Sequence, residues 1–348
     1  MAGKKHIVAI RLSAMGDVAM AVPVLRALIA QHTNVKITVV SRETFRPFFE
    51  GMERVSFFAA DVTGRHKGIM GLLGLYKDLK SLKVYAVADL HNVLRSKIVT
   101  ALFSFKGKKT ATIDKGRAEK KALTRANNKV FVQLPQVTKR YSDVFEKLGF
   151  RIDLSNPQFP AKAPLSESVA SVTGHKGTDK WIGIAPFAQH RSKIYPLDLM
   201  GKALDFLADN PNYKIFLFGG GKSETEMLKK LAGEKDNILV VAGKLKLKQE
   251  LQLIQHLDVM LSMDSGNAHI AAMLGVKVVT LWGATHPFAG FAPFNQPFDN
   301  ALVSDREKYP MLPTSVYGNK KIDGYDDAMR TISPQEVVNK IEELIKKG

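Results

Sequence analysis

The chain contains no cysteine. That excludes disulfides and thiolate zinc sites, and it fits a reducing compartment. No window approaches eighteen uninterrupted apolar residues, so no segment is expected to span a bilayer. Residues 1–10 begin basic, but the apolar run is broken by Arg11 and then by Gly16 and Asp17, too soon for a signal-peptide core. These features lead to an expectation of a cytoplasmic protein. Acidic side chains are also scarce: 33 Asp and Glu stand against 51 Lys and Arg, a formal charge of +18. Such a surplus implies an anionic partner, whether nucleic acid, a phosphorylated sugar or an acidic membrane face. Zinc-finger spacing and RNP-like aromatic patterns are missing, so no nucleic-acid partner is expected.

What is present is globular. With 348 residues and 45% hydrophobic side chains, the chain is long enough for two domains, each with its own core. Short apolar runs at 6–12, 35–40, 55–60 and 84–88 read as strands, and helical spacing recurs over 18–29, 69–82 and 93–103. Residues 150–180 lose this periodicity, and the linker is placed at 161–180. A second series follows, with strands at 181–187, 213–218, 238–241, 259–263 and 276–282 and helices between them. Ser333 and Pro334 then start a last helix as N-cap and first-turn residue. Strands alternating with helices predict parallel sheets covered on both faces, an α/β chain of two Rossmann-like domains at 1–160 and 181–330 with a final helix in 331–348. Much of the positive charge lies in 106–129, where nine Lys and Arg, Lys120 and Lys121 among them, face only Asp114 and Glu119. Such a run is either a solvated face or an anion-binding one.

Three segments fall where open parallel sheets gather ligands, beyond strand carboxyl ends. The first, Ser13-Ala14-Met15-Gly16-Asp17, has a single glycine and therefore no dinucleotide fingerprint, which argues against NAD. It puts the Asp17 carboxylate in the first turn of a helix, either for chemistry or for favourable interaction with the helix dipole. In the second, Arg191-Ser192-Lys193-Ile194-Tyr195-Pro196, Lys193 can neutralise a diphosphate as a point charge, and Arg191 is a second clamp or plain surface. The third, Asp264-Ser265-Gly266-Asn267-Ala268-His269, turns from a strand into an alanine-rich helix. It offers an anion free backbone N–H groups, a hydroxyl and an imidazole; it also reads as an ordinary capped helix with a core histidine. Asp264 has no carboxylates at ligand spacing around it, so no divalent metal is expected.

In order and spacing, these segments resemble the heptosyltransferases of glycosyltransferase family 9. The likeness runs from Arg-x-Ser-x-x-Gly-Asp-Val at 11–18, through Asp89 with Arg95-Ser96 and the Arg191–Pro196 segment, to Asp264-Ser265-Gly266-x-x-His269-x-Ala271-Ala272 and Leu281-Trp282-Gly283-Ala284-Thr285-x-Pro287. The resemblance implies a GT-B fold: two facing Rossmann-like domains, acceptor bound mainly by the first, nucleotide sugar mainly by the second, and a last helix crossing back. It implies Asp17 as catalytic base, Lys193 on the donor diphosphate, and Asp264, Ser265, Gly266 and His269 around the donor's phosphates and sugar. It extends to Glu224, or Glu226, at the nucleotide ribose.

An inverting transfer of heptose or a related sugar, with ADP-heptose as the implied donor, onto a lipopolysaccharide inner-core (lipid A/Kdo) acceptor follows from the same likeness. The donor is then a nucleotide sugar, with no cofactor required. The acceptor is an anionic glycolipid, reached by peripheral contact at the inner face of the cytoplasmic membrane. Acceptor contacts are expected from Ser13, Gly16, His91, Arg95, Lys120 and Lys121, with Arg191 joining the donor residues. Two departures bear on specificity: His91 stands where relatives often carry glutamine, and the loop at 284–293 is unusually aromatic. A non-hydrolysing nucleotide-sugar epimerase and a nucleotide-sugar-binding protein without turnover are the competing readings.

Overall fold

A computed structural model describes residues 4–347 and separates the chain into two compact units. Residues 1–3 and 348, the ends of the first and last expected segments, lie outside the described residues. The first unit holds the chain up to Gly116 and then Pro135–Phe159. Its strands are β1 (Lys5–Ile10), β2 (Val35–Ser41), β3 (Val55–Ala59), β4 (Ala86–Asp89) and β5 (Lys109–Thr112), and its helices include α1 (Met15–Gln31), α2 (Gly68–Lys80) and α3 (Leu94–Phe105). All five strands are parallel, in the order β3-β2-β1-β4-β5. Ile7, Val8, Ala9 and Ile10 of the central strand are all buried, which is why β1 reads as a continuous apolar run instead of an alternating one.

The chain steps from β1 outward through β2 to β3, then returns across the sheet to β4 and β5. Right-handed crossovers therefore put α2 and α3 on one face and α1 on the other. Leu72, Leu75, Leu79, Val99 and Phe103 form one core with Val8, Ile10 and Val87. On the opposite side α1 pairs with α5 (Val137–Lys147). β5 was hidden from the sequence because its residues, Lys-Thr-Ala-Thr, lie inside the basic run and include only one apolar side chain.

The second unit contains Arg117–Leu134 and the chain from Pro160 onward. Its sheet runs β11-β10-β9-β6-β7-β8, again parallel throughout. The strands are β6 (Lys180–Ala185), β7 (Tyr213–Leu217), β8 (Ile238–Val240), β9 (Val259–Met263), β10 (Lys277–Trp282) and β11 (Ala301–Val303). The connecting helices are α7 (Leu197–Ala208), α8 (Gly221–Ala232), α9 (Leu247–Gln255) and α10 (Gly266–Met273), and α11 (Pro334–Lys346) ends the series. Ser333 caps α11 as its sequence requires: its Oγ accepts from Glu336 N, and Glu336 Oε2 accepts in return from Ser333 N. Val337, Ile341 and Leu344 of this helix join the core of Ile182, Ile184 and Leu261. Helix α6 (Glu167–Thr173) packs on α9 within the stretch where little periodicity is visible; seven residues are too few to register one.

Arg117–Leu134, which includes α4 (Arg117–Thr124), groups with the second unit although it precedes Pro135 in the chain. Its apolar residues explain this. Leu123, Leu134 and Phe131 pack on Ala289, Phe288 and Phe291, with the Phe131 and Phe288 rings 4.8 Å apart. Leu134 N donates to Phe288 O, and Lys129 Nζ donates to Pro313 O at 2.8 Å. The aromatic loop at 284–293 is thus largely an anchorage. Among the described residues, no helix is long and apolar enough to cross a membrane.

Candidate functional site

Each sheet has one place where the strand order reverses, and ten of the predicted residues lie at the two: Ser13, Gly16, Asp17, His91 and Arg95 at one, Lys193, Asp264, Ser265, Gly266 and His269 at the other. In the first unit this place is the carboxyl edge between β1 and β4. Arg11 leaves β1 buried; it donates to Leu90 O at 2.8 Å and pairs with the Asp17 carboxylate. Asp17 is the third residue of α1, just after Gly16, and the short loop carrying Ser13 brings it back over the end of the strand. Its side chain remains a quarter exposed, open to a ligand from solvent. Tyr141, fully buried on α5, donates its hydroxyl to Asp17 O at 3.2 Å, and its ring lies beneath the Arg11 guanidinium.

From β4 come Asp89 and His91. Asp89 is buried, and its Oδ1 accepts from the backbone N–H groups of His91 and Asn92. This Asx-type turn directs His91 toward Leu12, whose N–H lies 3.4 Å from Nδ1. Burial, reinforced by the charges of Arg11 and Lys115, pushes the His91 imidazole down to about 3. It is a neutral ring near pH 7, able to donate or accept a hydrogen bond without adding charge. Arg95 is exposed in the first turn of α3, which Ser96 closes by accepting from Val93 N.

In the second unit the reversal lies between β6 and β9. The segment after β6 makes a short 3-10 turn, Arg191–Lys193, and Lys193 Nζ reaches Asp264 Oδ2 at 3.0 Å at the end of β9. Both side chains are mostly buried, at 12% and 8% exposure. Gly283 is required here, because a Cβ at that position would lie 2.3 Å from Ser192 O, which accepts from Ala284 N. Ser192 Oγ donates to Gly318 O at 2.6 Å. Gly318 has φ +81°, and any Cβ on it would lie 2.5 Å from Lys193 Cδ. The lysine stem is therefore held in a fitted channel.

Ser265 holds the N-cap position of α10 in extended backbone, its Oγ 3.0 Å from Ser262 Oγ and not on the helix's N–H groups, and Gly266 opens the helix. His269 is buried one turn further on. Ala268, Ala271 and Ala272 are small because this helix lies close to β9 and β10. Glu224 sits at the start of α8, and its Oε2 accepts from Gly220 N at 2.7 Å. Among the described residues, no group of three or more His, Asp or Glu is placed to hold a metal ion.

The structure brings Ser13, Gly16, Asp17, His91 and Arg95 to one edge, and Lys193, Asp264, Ser265, Gly266 and His269 to another. Arg191 is exposed and lines a cavity of about 670 Å³ with Tyr195, Lys320 and Arg330, and that lining includes neither Lys193 nor Asp264. Lys120 and Lys121 do not form one basic face: Lys120 is buried with its ammonium 4.2 Å from the Phe291 ring centroid, and Lys121 is exposed. Both belong to the second unit, and the other expected acceptor residues belong to the first. The sequence motifs assign no role to Arg11, Tyr141, Ser192 and Gly318. Arg11 and Ser192 stood inside the motifs, whereas nothing local marked Tyr141 or Gly318.

Residues 73–320 match the family described as Glycosyltransferase family 9 (heptosyltransferase). Among characterised relatives, a lipopolysaccharide heptosyltransferase 1 of Campylobacter coli is 25% identical, covering 97% of this chain and 98% of its own. A lipopolysaccharide core heptosyltransferase of Haemophilus influenzae is 26% identical over 86% of this chain and 84% of its own. A family 9 glycosyltransferase structure from Veillonella parvula shares the fold with a TM-score of 0.75 at 22% identity, over 100% of this chain and 99% of that one.

Proposed function

Because the chain belongs to glycosyltransferase family 9 and has the GT-B fold of that family's enzymes, we propose that it transfers a heptose from ADP-heptose to the inner core of a lipopolysaccharide precursor. The observation that carries this reading is the Lys193–Asp264 pair beside the N-terminus of α10, a cation and a set of free N–H groups at one strand end. Relatives named as lipopolysaccharide heptosyltransferases, aligned over nearly the whole chain, support the sugar and the acceptor class.

In the proposed reaction an acceptor hydroxyl oxygen attacks the anomeric carbon and its proton passes to the Asp17 carboxylate. The bond from that carbon to the diphosphate breaks, and ADP leaves with the electron pair. Lys193 and the α10 N-terminus meet the charge that develops on the leaving group. Arg11 and Tyr141 hold Asp17 in place. A single displacement inverts the anomeric centre. His91 and Arg95 contact the anionic acceptor, and Glu224 is assigned to the ribose through the carboxylate oxygen that Gly220 does not use. No step is assigned to a metal. The work is done on the cytoplasmic side of the inner membrane, where the acceptor lipid is embedded.

The test is incubation with ADP-heptose and a Kdo-lipid A acceptor, following ADP release and the acceptor's mass. A heptose increment is expected only when both are present. ADP-heptose that isomerises without acceptor would point to an epimerase, and binding without turnover would remove the transferase reading.

A further inference from the structure

The carboxyl edge of the first sheet carries three large apolar side chains that join no core. Ile69, Met70 and Leu94 are 69%, 78% and 75% exposed. The first two lie in the opening turn of α2, and Leu94 begins α3. These helices run side by side in the same direction on one face of the sheet, and the Tyr76 ring packs edge-on to that of Phe103 at 4.9 Å. Tyr76 lies seven positions beyond Ile69 and Phe103 nine beyond Leu94, so at about 1.5 Å per residue the two N-terminal ends are level to within a turn.

The charges in the first turns themselves are of one kind. Helix N-termini favour acidic first turns, yet neither α2 nor α3 has an acidic residue there. Lys67, Arg95 and Lys97 are exposed at these turns instead, whereas Arg65 in the preceding loop is paired with Asp78. Projecting apolar side chains ringed by cations suit an anionic bilayer, in which the chains enter the headgroup boundary and the cations meet lipid phosphates.

We propose that the N-terminal ends of α2 and α3 dock on an anionic lipid surface, with Ile69, Met70 and Leu94 inserted between the headgroups. The proposal rests on the glycolipid-acceptor reading for its purpose: Asp17, His91 and Arg95 lie along the same sheet edge, so docking there brings the sugar of a membrane-embedded acceptor to the base.

The experiment measures co-sedimentation of the full chain with phosphatidylethanolamine–phosphatidylglycerol vesicles and with neutral phosphatidylcholine vesicles. Binding is expected to the anionic vesicles only, and to weaken as salt rises. The Ile69→Ser/Met70→Ser/Leu94→Ser variant should partition about tenfold less or weaker still, as should Lys67→Glu/Lys97→Glu. Both should keep the wild-type melting temperature and turnover of a de-acylated, soluble acceptor. Variants that sediment like wild type overturn the proposal, as does a wild-type dimer in light scattering that the serine variant turns into monomer, since a second copy then covers the patch. Turnover of the soluble acceptor without vesicle binding sinks the docking surface and spares the proposed reaction. Vesicle binding without any heptose transfer does the reverse.

Discussion

Lys193 Nζ lies 3.0 Å from Asp264 Oδ2, and neither side chain has much contact with solvent. Each is the other's partner until a donor arrives, so removing one leaves a desolvated charge behind, at a cost of about 3–5 kcal/mol. Lys193→Met should therefore lower the melting temperature and reduce turnover on the order of 10²- to 10³-fold. Adding Asp264→Asn should restore much of the melting temperature and none of the turnover. Thermal melts with single-turnover assays separate the two effects, and a double variant as unstable as the single would refute the pairing argument.

Asp17→Asn keeps shape but cannot accept the proton. Transfer should fall about 10²- to 10⁴-fold, with ADP affinity measured by calorimetry unchanged. Undiminished transfer would take Asp17 out of the reaction. Arg11→Lys loses the geometry that spans Leu90 O and Asp17, and should lower kcat with little effect on the donor's KM.

Gly318→Ala asks a non-glycine residue to adopt φ +81° and places a methyl against the Lys193 stem. The backbone term alone costs about 1–2 kcal/mol. Displacement of the lysine should raise the donor's KM and leave the acceptor's untouched, as initial rates with each substrate varied in turn will show.

Acid should weaken the fold through two histidines. Burial holds His91 down to about 3 and His286 to about 4, from an ordinary 6.5. Below pH 6.5 the unfolded chain takes up protons that the folded chain refuses, so stability is full above that pH and declines as pH falls toward 4. Urea melts at pH 7 and pH 5 should show the decline, and His91→Gln should flatten it.

Lys120 and Lys121 are neighbours in sequence with different surroundings. Lys120→Glu should lower the melting temperature by loosening α4 from Phe291. Lys121→Glu should not alter it, and it raises the acceptor's KM only if this surface meets the acceptor. Equal melting temperatures for the two variants would count against the packing described for Lys120.

The alternation of strand and helix is legible in this sequence because parallel strands buried on both faces leave continuous apolar runs such as 6–12 and 259–263. The three strand-end motifs are legible for a related reason: a site at a sheet's reversal point is assembled from the residues that follow particular strands. What the residues do not disclose is partnership across long sequence gaps. Tyr141 is 124 positions from Asp17, and Gly318 is 126 from Ser192. The basic run at 106–129 shows the same limit, since charge is counted along the chain whereas Lys120 lies inward against an aromatic ring and Lys121 is exposed.

Arg117–Leu134 has a consequence for dissecting this enzyme. The polypeptide passes between its two compact units three times, after Gly116, Leu134 and Phe159. A fragment started at Pro160 would inherit a complete sheet but forfeit the stretch that covers Phe288 and Phe291, leaving a sticky aromatic scar. Separately expressed halves should precipitate, and a single protease nick near residue 160 should leave both pieces entangled.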